Sequence, residues 1–307
     1  MGRLEDVRVI DPVLTSIARG YNNAQAIAGA LFPFAKVQKE AGKVIQFTKE
    51  SFKIYNTERA IRASSNRMIP ESNSSLAYVL DEHDLEYPID YREYQEAEGT
   101  LQISMETYAV NTVQSAIMLR REKAASDLMA ASGNYVSGHV VTLSGTSKWS
   151  AQSTSDPLGD LESGIDVIRT AIGVKPNTLV LGYSAYVQLR RHPQLSEKIK
   201  YSMKDIITPD LIAQIVGIPN VVIGEAVYAS DANVFSDLWG ANAYLAYVGT
   251  GQDVYEPSFG YTLRKISMPV SDMYLEKGGK VLLVRNTDIF LVKALGWEAA
   301  YGILNVK

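Results

Sequence analysis

Ser184 stands in Gly182-Tyr-Ser-Ala-Tyr186, between an apolar run that reads as a strand and a stretch that reads as a helix. A hydrolase nucleophile occupies such a strand-to-helix turn, where its hydroxyl is exposed and a histidine later in the chain takes its proton. Here the final glycine that lets the turn close is missing, and no aspartate-then-histidine order follows beyond His192, eight residues away. Ser184 therefore reads as a helix N-cap, and an α/β hydrolase built on it is the alternative of another class. His83 lies between Asp81-Glu82 and Asp84, which could hold a metal or move a proton if the side chains converged. Neighbours on a strand point to opposite faces, so the group reads as a solvated charged turn. His139 and His192 are distant in sequence, and the absence of cysteine removes disulfides, thiolate metal sites and cysteine nucleophiles together. Gly249-Thr-Gly251 and Gly278-Gly279 lack the lysine–serine pair of a phosphate loop and the dinucleotide fingerprint, and read as turns. The basic clusters Arg120-Arg121-Glu122-Lys123 and Arg190-Arg191-His192 are short and read as solvated helix faces or ion pairs between subunits. Trp149, Trp239 and Trp297 are too widely spaced for a ligand cage and read as core or interface residues. The expectation is no catalytic residue, no cofactor and no metal: the chain is not an enzyme.

Composition narrows the classes further. The chain has 307 residues, 46% hydrophobic and 21% charged, enough for a substantial core and about two domains. Its net charge is −4, whereas a dedicated nucleic-acid reader carries a basic excess. No apolar stretch approaches the ~18 residues that would span a bilayer. Met1-Gly-Arg-Leu-Glu-Asp6 carries no apolar signal region, so a soluble protein made inside the cell is expected.

The elements that position these residues follow from local signals. Asp11-Pro12 caps a short helix through Val13, Leu14 and Ile17 that Gly20 stops. Residues 23–34 are small and apolar, broken by Pro33, and read as an extended arm seeking a surface. Residues 43–55 and 76–90 read as two strands of a long β-hairpin with a polar tip at 56–75. At about 3.3 Å per residue such an arm reaches roughly 43 Å. An isolated hairpin is marginal in water, so it packs on its own domain or across a neighbouring subunit. Residues 100–131 read as one helix of roughly 45 Å with two tracks at helical spacing, Met105-Tyr108-Thr112-Ala116-Leu119-Lys123 and Ala109-Val113-Ile117-Ala124-Leu128, ended by Gly133-Asn134. Asp156-Pro157 opens a helix to Gly173, 178–182 is a buried strand, and helices at 184–191 and 194–203 follow. Thr208-Pro209 opens another helix that Gly217 stops, and 221–224 and 243–248 are strands. Residues 156–249 thus form one α/β unit. Beyond it, 259–263, 281–284 and 289–292 read as strands, with a hairpin turn at 277–280.

This order resembles the major capsid protein of tailed bacteriophages, the Hong Kong 97-type capsid fold that encapsulin shells also use. Local sequence strengthens the likeness. Tyr135-Val-Ser-Gly-His-Val-Val-Thr-Leu-Ser-Gly-Thr-Ser-Lys-Trp149 followed by Asp156-Pro-Leu-Gly-Asp-Leu161 looks like the link from spine helix into the axial domain. Lys175-Pro-Asn-Thr-Leu-Val-Leu181, Leu189-Arg-Arg-His-Pro193 and Ile199-Lys-Tyr-Ser202 are similar to that domain's core, and 182–224 with Trp239-Gly240 continues the pattern. The resemblance implies an α+β fold with four parts: an N-terminal arm (1–42), an extended β-hairpin loop or E-loop (43–92), a peripheral domain with the spine helix (93–155 and 250–307), and an axial α/β domain (156–249). It implies a major capsid protein that assembles with itself, as pentamers and hexamers, into the icosahedral head around a double-stranded DNA genome. The protein would reside in the virion capsid and be assembled in the host cytoplasm, touching packaged DNA non-specifically and no membrane. An encapsulin-type nanocompartment shell is the alternative within the fold.

Two departures from the family carry expectations. Some members carry an N-terminal scaffolding region of about a hundred residues, where this sequence has about 42 before the hairpin. A separate scaffolding protein is therefore expected, beside portal and decoration partners. Some members also weld their shells through a loop lysine and a neighbour's asparagine. The tip at 56–75 has Arg59, Arg62 and Arg67 but no lysine, leaving only Lys49 and Lys53 on the strand, so no covalent crosslink is expected.

Overall fold

The computed structural model describes residues 10–21, 26–45, 57–61, 64–66, 75–97, 104–199, 207–229, 234–249, 258–276 and 278–307. The 46–55 half of the first hairpin strand, most of the hairpin tip, the 200–203 end of its helix, and Lys49, Lys53, Arg62 and Arg67 lie outside the described residues. So do residues 100–103 at the start of the expected long helix, and Gly251 and Lys277 of the expected turns.

Helix boundaries follow the capping residues. The Asp11 carboxylate accepts from the Val13 and Leu14 N–H groups (2.8 and 3.0 Å) and starts α1 (Pro12–Gly20). α2 (Ala28–Leu31) and β1 (Phe34–Val37) follow, then β2 (Ala41–Ile45), which pairs antiparallel with β3 (Ser75–Val79). Residues 76–90, expected as one strand, are two: the chain breaks at Leu80, and β4 (Asp81–Asp90) leaves the hairpin to pair with β13 (Val281–Ala294). The short α3 (Tyr91–Glu96) leads to the long α4 (Met105–Ala130), whose 26 residues make a rod of about 39 Å. α5 (Pro157–Ile172) starts at Asp156 and ends where Gly173 turns left-handed at φ 74°.

Two five-stranded sheets organise the chain. The first joins β1, β11 (Gly260–Lys265), β12 (Val270–Leu275), β4 and β13. β13 is one 14-residue strand where sequence suggested two, and it pairs with β4, β12 and β11 along its length. α1 and α4 lie on one face, burying Leu14, Ala18, Val110, Ile89 and Val284 together. The base of the β2–β3 hairpin covers part of this sheet through Val44, Tyr78, Leu80, Tyr261 and Leu263.

The second sheet runs β5 (Val140–Thr142), β14 (Ala300–Leu304), β10 (Ala243–Ala246), β6 (Thr178–Gly182), β7 (Asn220–Gly224). β5 and β14 come from the segments that the resemblance assigns to the peripheral part, yet they are strands of this sheet. Both faces are covered, so β6 is buried at every residue and reads as a continuous apolar run. Leu179, Leu181, Leu245 and Ile303 pack with Leu161, Ile168 and Ile212 from α5 and α8 (Pro209–Val216). Val180, Tyr244, Ala246 and Leu304 face Met129 of α4 and Leu31 and Phe32. α6 (Tyr183–Arg191) and α7 (Pro193–Ile199) follow β6, and the small hairpin β8 (Val227–Ala229) and β9 (Phe235–Asp237) follows β7.

The stretch expected as an arm in search of a surface is instead buried on its own chain. Ala28, Leu31, Phe32 and Ala35 are fully buried, and β1 pairs in parallel with β11.

Candidate functional site

The residues that sequence singled out for chemistry are scattered. Ser184 is not the N-cap of α6: the helix starts at Tyr183, with Gly182 in the cap position. Its hydroxyl donates to Asp237 Oδ2 of β9 (2.9 Å). A Cβ on Gly182 would lie 2.0 Å from the Gly240 carbonyl oxygen, so the tight turn here serves backbone packing. His192 faces Ser155 instead of Ser184. Its Nδ1 meets the Gln194 N–H (3.4 Å), which leaves Nε2–H to donate to Ser155 Oγ (3.2 Å). Ser155 in turn donates to the Ala151 carbonyl (2.9 Å). That imidazole holds its proton on the nitrogen facing the hydroxyl, the wrong tautomer for a base, and burial keeps its pKa below the ordinary histidine value.

His83 is on β4, not in a turn. Its ring stacks on Phe290 (centroids 4.2 Å apart), and burial lowers its pKa. Asp84 accepts from Thr287 Oγ1 (2.6 Å) across the ladder. Among the described residues no group of three His, Asp or Glu side chains could hold a metal ion. No helix among them is long and apolar enough to cross a membrane. Trp149 and Trp239 are core residues, and Trp297 is partly buried against the core. Trp149 donates to Asp160 (2.9 Å), Trp239 is buried beside Tyr244, and Trp297 packs edge-on against Tyr135 and Phe259.

The arrangement that sequence reasoning missed is a buried polar joint on α4. Arg121 and Glu122, expected on a solvated face, are 6% and 1% exposed. Glu122 accepts from the N–H groups of Ile27 (2.8 Å) and Ala28 (2.8 and 3.0 Å) and from Trp239 Nε1 (2.8 Å). Arg121 donates to the Phe32 carbonyl (2.8 Å) and Thr262 Oγ1 (3.1 Å). Its guanidinium and that of Arg264 both lie on the Phe34 ring, 3.9 and 4.7 Å from its centre. Arg264 pairs in bidentate fashion with the fully buried Asp288, Nε to Oδ1 at 2.8 Å. Burial pulls the Arg121 pKa down to about 10. Adjacent residues of one helix therefore hold β11 of the first sheet, the Trp239 turn of the second, and the 27–34 segment between them. The signal was present: Gln114 and Arg121 share a stripe with Val113, Ile117 and Ala125.

A long helix laid on one sheet, joined to a second sheet covered on both faces, is a fold that this chain shares with solved phage capsid proteins and an encapsulin. A capsid protein of a prophage in E. coli CFT073 superposes with a TM-score of 0.58 over 97% of this chain and 99% of that one, at 10% identity. The phage PhiM1 mature capsid gives 0.54, at 12% identity over 92% of this chain and 87% of that one. A phage-related protein from Bordetella bronchiseptica RB50 is nearer, with a TM-score of 0.85 and 31% identity over 98% of both chains. The chain belongs to the phage major capsid protein E family, whose model matches residues 90–259. It is 52% identical to the major capsid protein of Burkholderia phage BcepMu over all of both chains. An encapsulin from Synechococcus elongatus PCC 7942 shares the fold at 10% identity and a TM-score of 0.51, over 98% of both chains. The function is that of a phage major capsid protein: a structural protein of the virion that self-assembles into a multi-subunit shell.

Proposed function

We propose that this chain builds the icosahedral head enclosing the double-stranded DNA genome of a tailed phage, its copies grouped as pentamers and hexamers. The observation that carries this reading is the 52% identity to a phage major capsid protein along the full length of both chains. Residues 1–42 act as the N-terminal arm and 43–92 as the loop that lies over a neighbour. The exposure of residues 57–61 and 64–66, with Ile61 94% exposed, supports this, because they add nothing to a core of their own chain. Residues 93–155 and 250–307 form the peripheral domain, lending β5 and β14 to the sheet of the axial domain, 156–249. Assembly takes place in the host cytoplasm with separate scaffolding, portal and decoration proteins, and packaged DNA is touched non-specifically. The chain catalyses nothing, and its copies stay without covalent crosslinks.

An encapsulin-type nanocompartment has the same fold, and the encapsulin compared above is 10% identical to this chain. Particles purified from phage-producing cells separate the two readings, by negative-stain microscopy and the 260/280 nm absorbance ratio. Closed shells tens of nanometres wide, rich in nucleic acid, are expected. Shells filled with protein cargo overturn the head in favour of the nanocompartment. A chain that stays a 33.8 kDa monomer with its scaffold present overturns the shell.

A further inference from the structure

The second sheet carries an exposed apolar knob at one corner and a groove at the diagonally opposite corner. The knob is the β8–β9 hairpin that follows β7, the strand at one edge of the sheet. Phe235 is 74%, Val234 58% and Val227 50% exposed on it. A two-stranded ribbon with an apolar face is marginal when left in water. This one is also tied to the rest of its own chain. Asp237 accepts from Ser184 Oγ, and the Leu238 N–H donates to the Ala226 carbonyl (2.9 Å), closing the hairpin base. A knob fixed before contact loses little freedom on binding.

The groove, of ≈ 420 Å³, lies between the turn at 137–139 and α5, lined by Gly138, His139, Val167, Thr170 and Ala171, with Asp166 at its rim. It sits just before β5, the strand at the other edge, and at the starting end of that strand. β5, β14, β6 and β7 are related so that β5, β6 and β7 share one direction with β14, and the hairpin after β7 leaves from the far end. Four inter-strand steps of about 4.8 Å and a strand length of about 16 Å put knob and groove about 25 Å apart. Strands of three residues reach only about 10 Å, so no chain can fill its own groove with its own knob.

A head-to-tail contact joins two different patches of the same chain, here an exposed apolar knob and a hollow on opposite corners of one sheet, and its repetition closes a ring when the rotation allows. We propose that Phe235 of one copy of this chain seats in the 137–171 groove of the next copy, linking axial domains into the rings of the shell. The proposal rests on the shell reading above, and names its contact.

The absence of native cysteine makes the test clean. Particles of the double variant F235C/T170C are treated with a short bis-maleimide and run on a denaturing gel. The expected result is a ladder rising to the five or six copies of a ring, absent from either single variant. The second variant is F235D, whose side chain touches no core. Its protomer keeps the far-UV circular dichroism of the wild type, while particle yield falls roughly tenfold or more, the scale of losing an interface hot spot. Three results each overturn the knob-and-groove contact while leaving the shell standing. They are wild-type particles with a double variant that gives no ladder, F235D particles in wild-type yield, and an F235C thiol joined to a different protein. Failure of the wild-type chain to form particles strikes the shell reading, and a ladder in the same preparation still upholds the contact.

Discussion

Replacing Glu122 by alanine tests the polar joint directly. The carboxylate is 1% exposed and accepts three buried donors: the Ile27 N–H, the Ala28 N–H and Trp239 Nε1–H. Each buried donor left without an acceptor costs about 1–3 kcal/mol. Three orphaned donors at that cost, less what relaxation recovers, make the expected loss about 3–5 kcal/mol. For a chain of this size each kcal/mol moves Tm by about 2 °C, giving a fall of roughly 6–10 °C. Glu122→Gln keeps the shape, and an oxygen in the Oε1 position stays within reach of all three donors while its NH2 faces the Ala28 N–H, so its loss is smaller, about 1–2 kcal/mol. The assay is thermal and urea unfolding of the unassembled protomer, followed by circular dichroism. A proteolysis time course supplements it, because residues 26–37 are the segment the joint holds. A Glu122→Ala protomer melting within about 2 °C of wild type, with no faster cleavage near residue 26, would refute the reasoning, since its donors must then find water.

Three further outcomes follow from the geometry. Burial holds the His192 pKa below its ordinary 6.5, so the unfolded chain binds more protons than the folded one as pH falls through that value. Stability is then full above pH 6.5 and declines below it, by at most about 1.4 kcal/mol per pH unit for this ring. His192→Asn, which keeps an acceptor near the Gln194 N–H, should flatten part of the urea-midpoint difference between about pH 7.5 and 5.5. Ser184→Ala removes one hydrogen bond to Asp237 and should cost about 0.5–1.5 kcal/mol in urea unfolding while particles still form; loss of a hydrolytic activity in that variant would instead revive the nucleophile. Deleting residues 56–75 should leave the protomer's melting temperature near wild type, because the described residues of that stretch are exposed, but should impair shell assembly, and normal shells from the deletion would sink the overlapping loop.

Local signals in the sequence located most helix boundaries, because capping is local chemistry. Asp11-Pro12, Asp156-Pro157 and Thr208-Pro209 start helices, and Gly173 and Gly217 end them in left-handed turns at φ 74°. Strand partners were not legible. β14 and the 289–292 part of β13 are both short apolar runs, yet one belongs to the second sheet and the other to the first. That choice is made by contacts with strands far away in sequence. The break at Leu80 was hidden for the same reason: β3 and β4 read as one extended run but answer to different partners. Ser184 was misplaced by cap register, since α6 begins at Tyr183 and leaves the serine inside the first turn. α4 shows the limit of apolar periodicity. Tracking apolar residues alone selected Tyr108 and Leu119, which are 52% and 41% exposed, and passed over Gln114, Arg121 and Glu122, which are buried.

That last failure explains what the joint contributes. Apolar contacts are non-directional, so two sheets meeting through leucines could slide over one another with little loss. Hydrogen bonds weaken steeply with angle, and here successive residues of α4 fix different bodies: Arg121 holds Thr262 of the first sheet, and Glu122 holds Trp239 beside the second. Both grip the 27–32 segment that lies between them. Phe34 closes the arrangement, with Arg121 and the Arg264–Asp288 pair on its ring. All these bonds can form together at one mutual orientation of the sheets and are lost in groups at any other. A subunit that must present the same knob and the same groove at the same separation in every copy of a shell needs that kind of rigidity between its parts. The burial of two charges in a helix, costly in isolation, is therefore placed where directionality matters more than the apolar stabilisation it displaces.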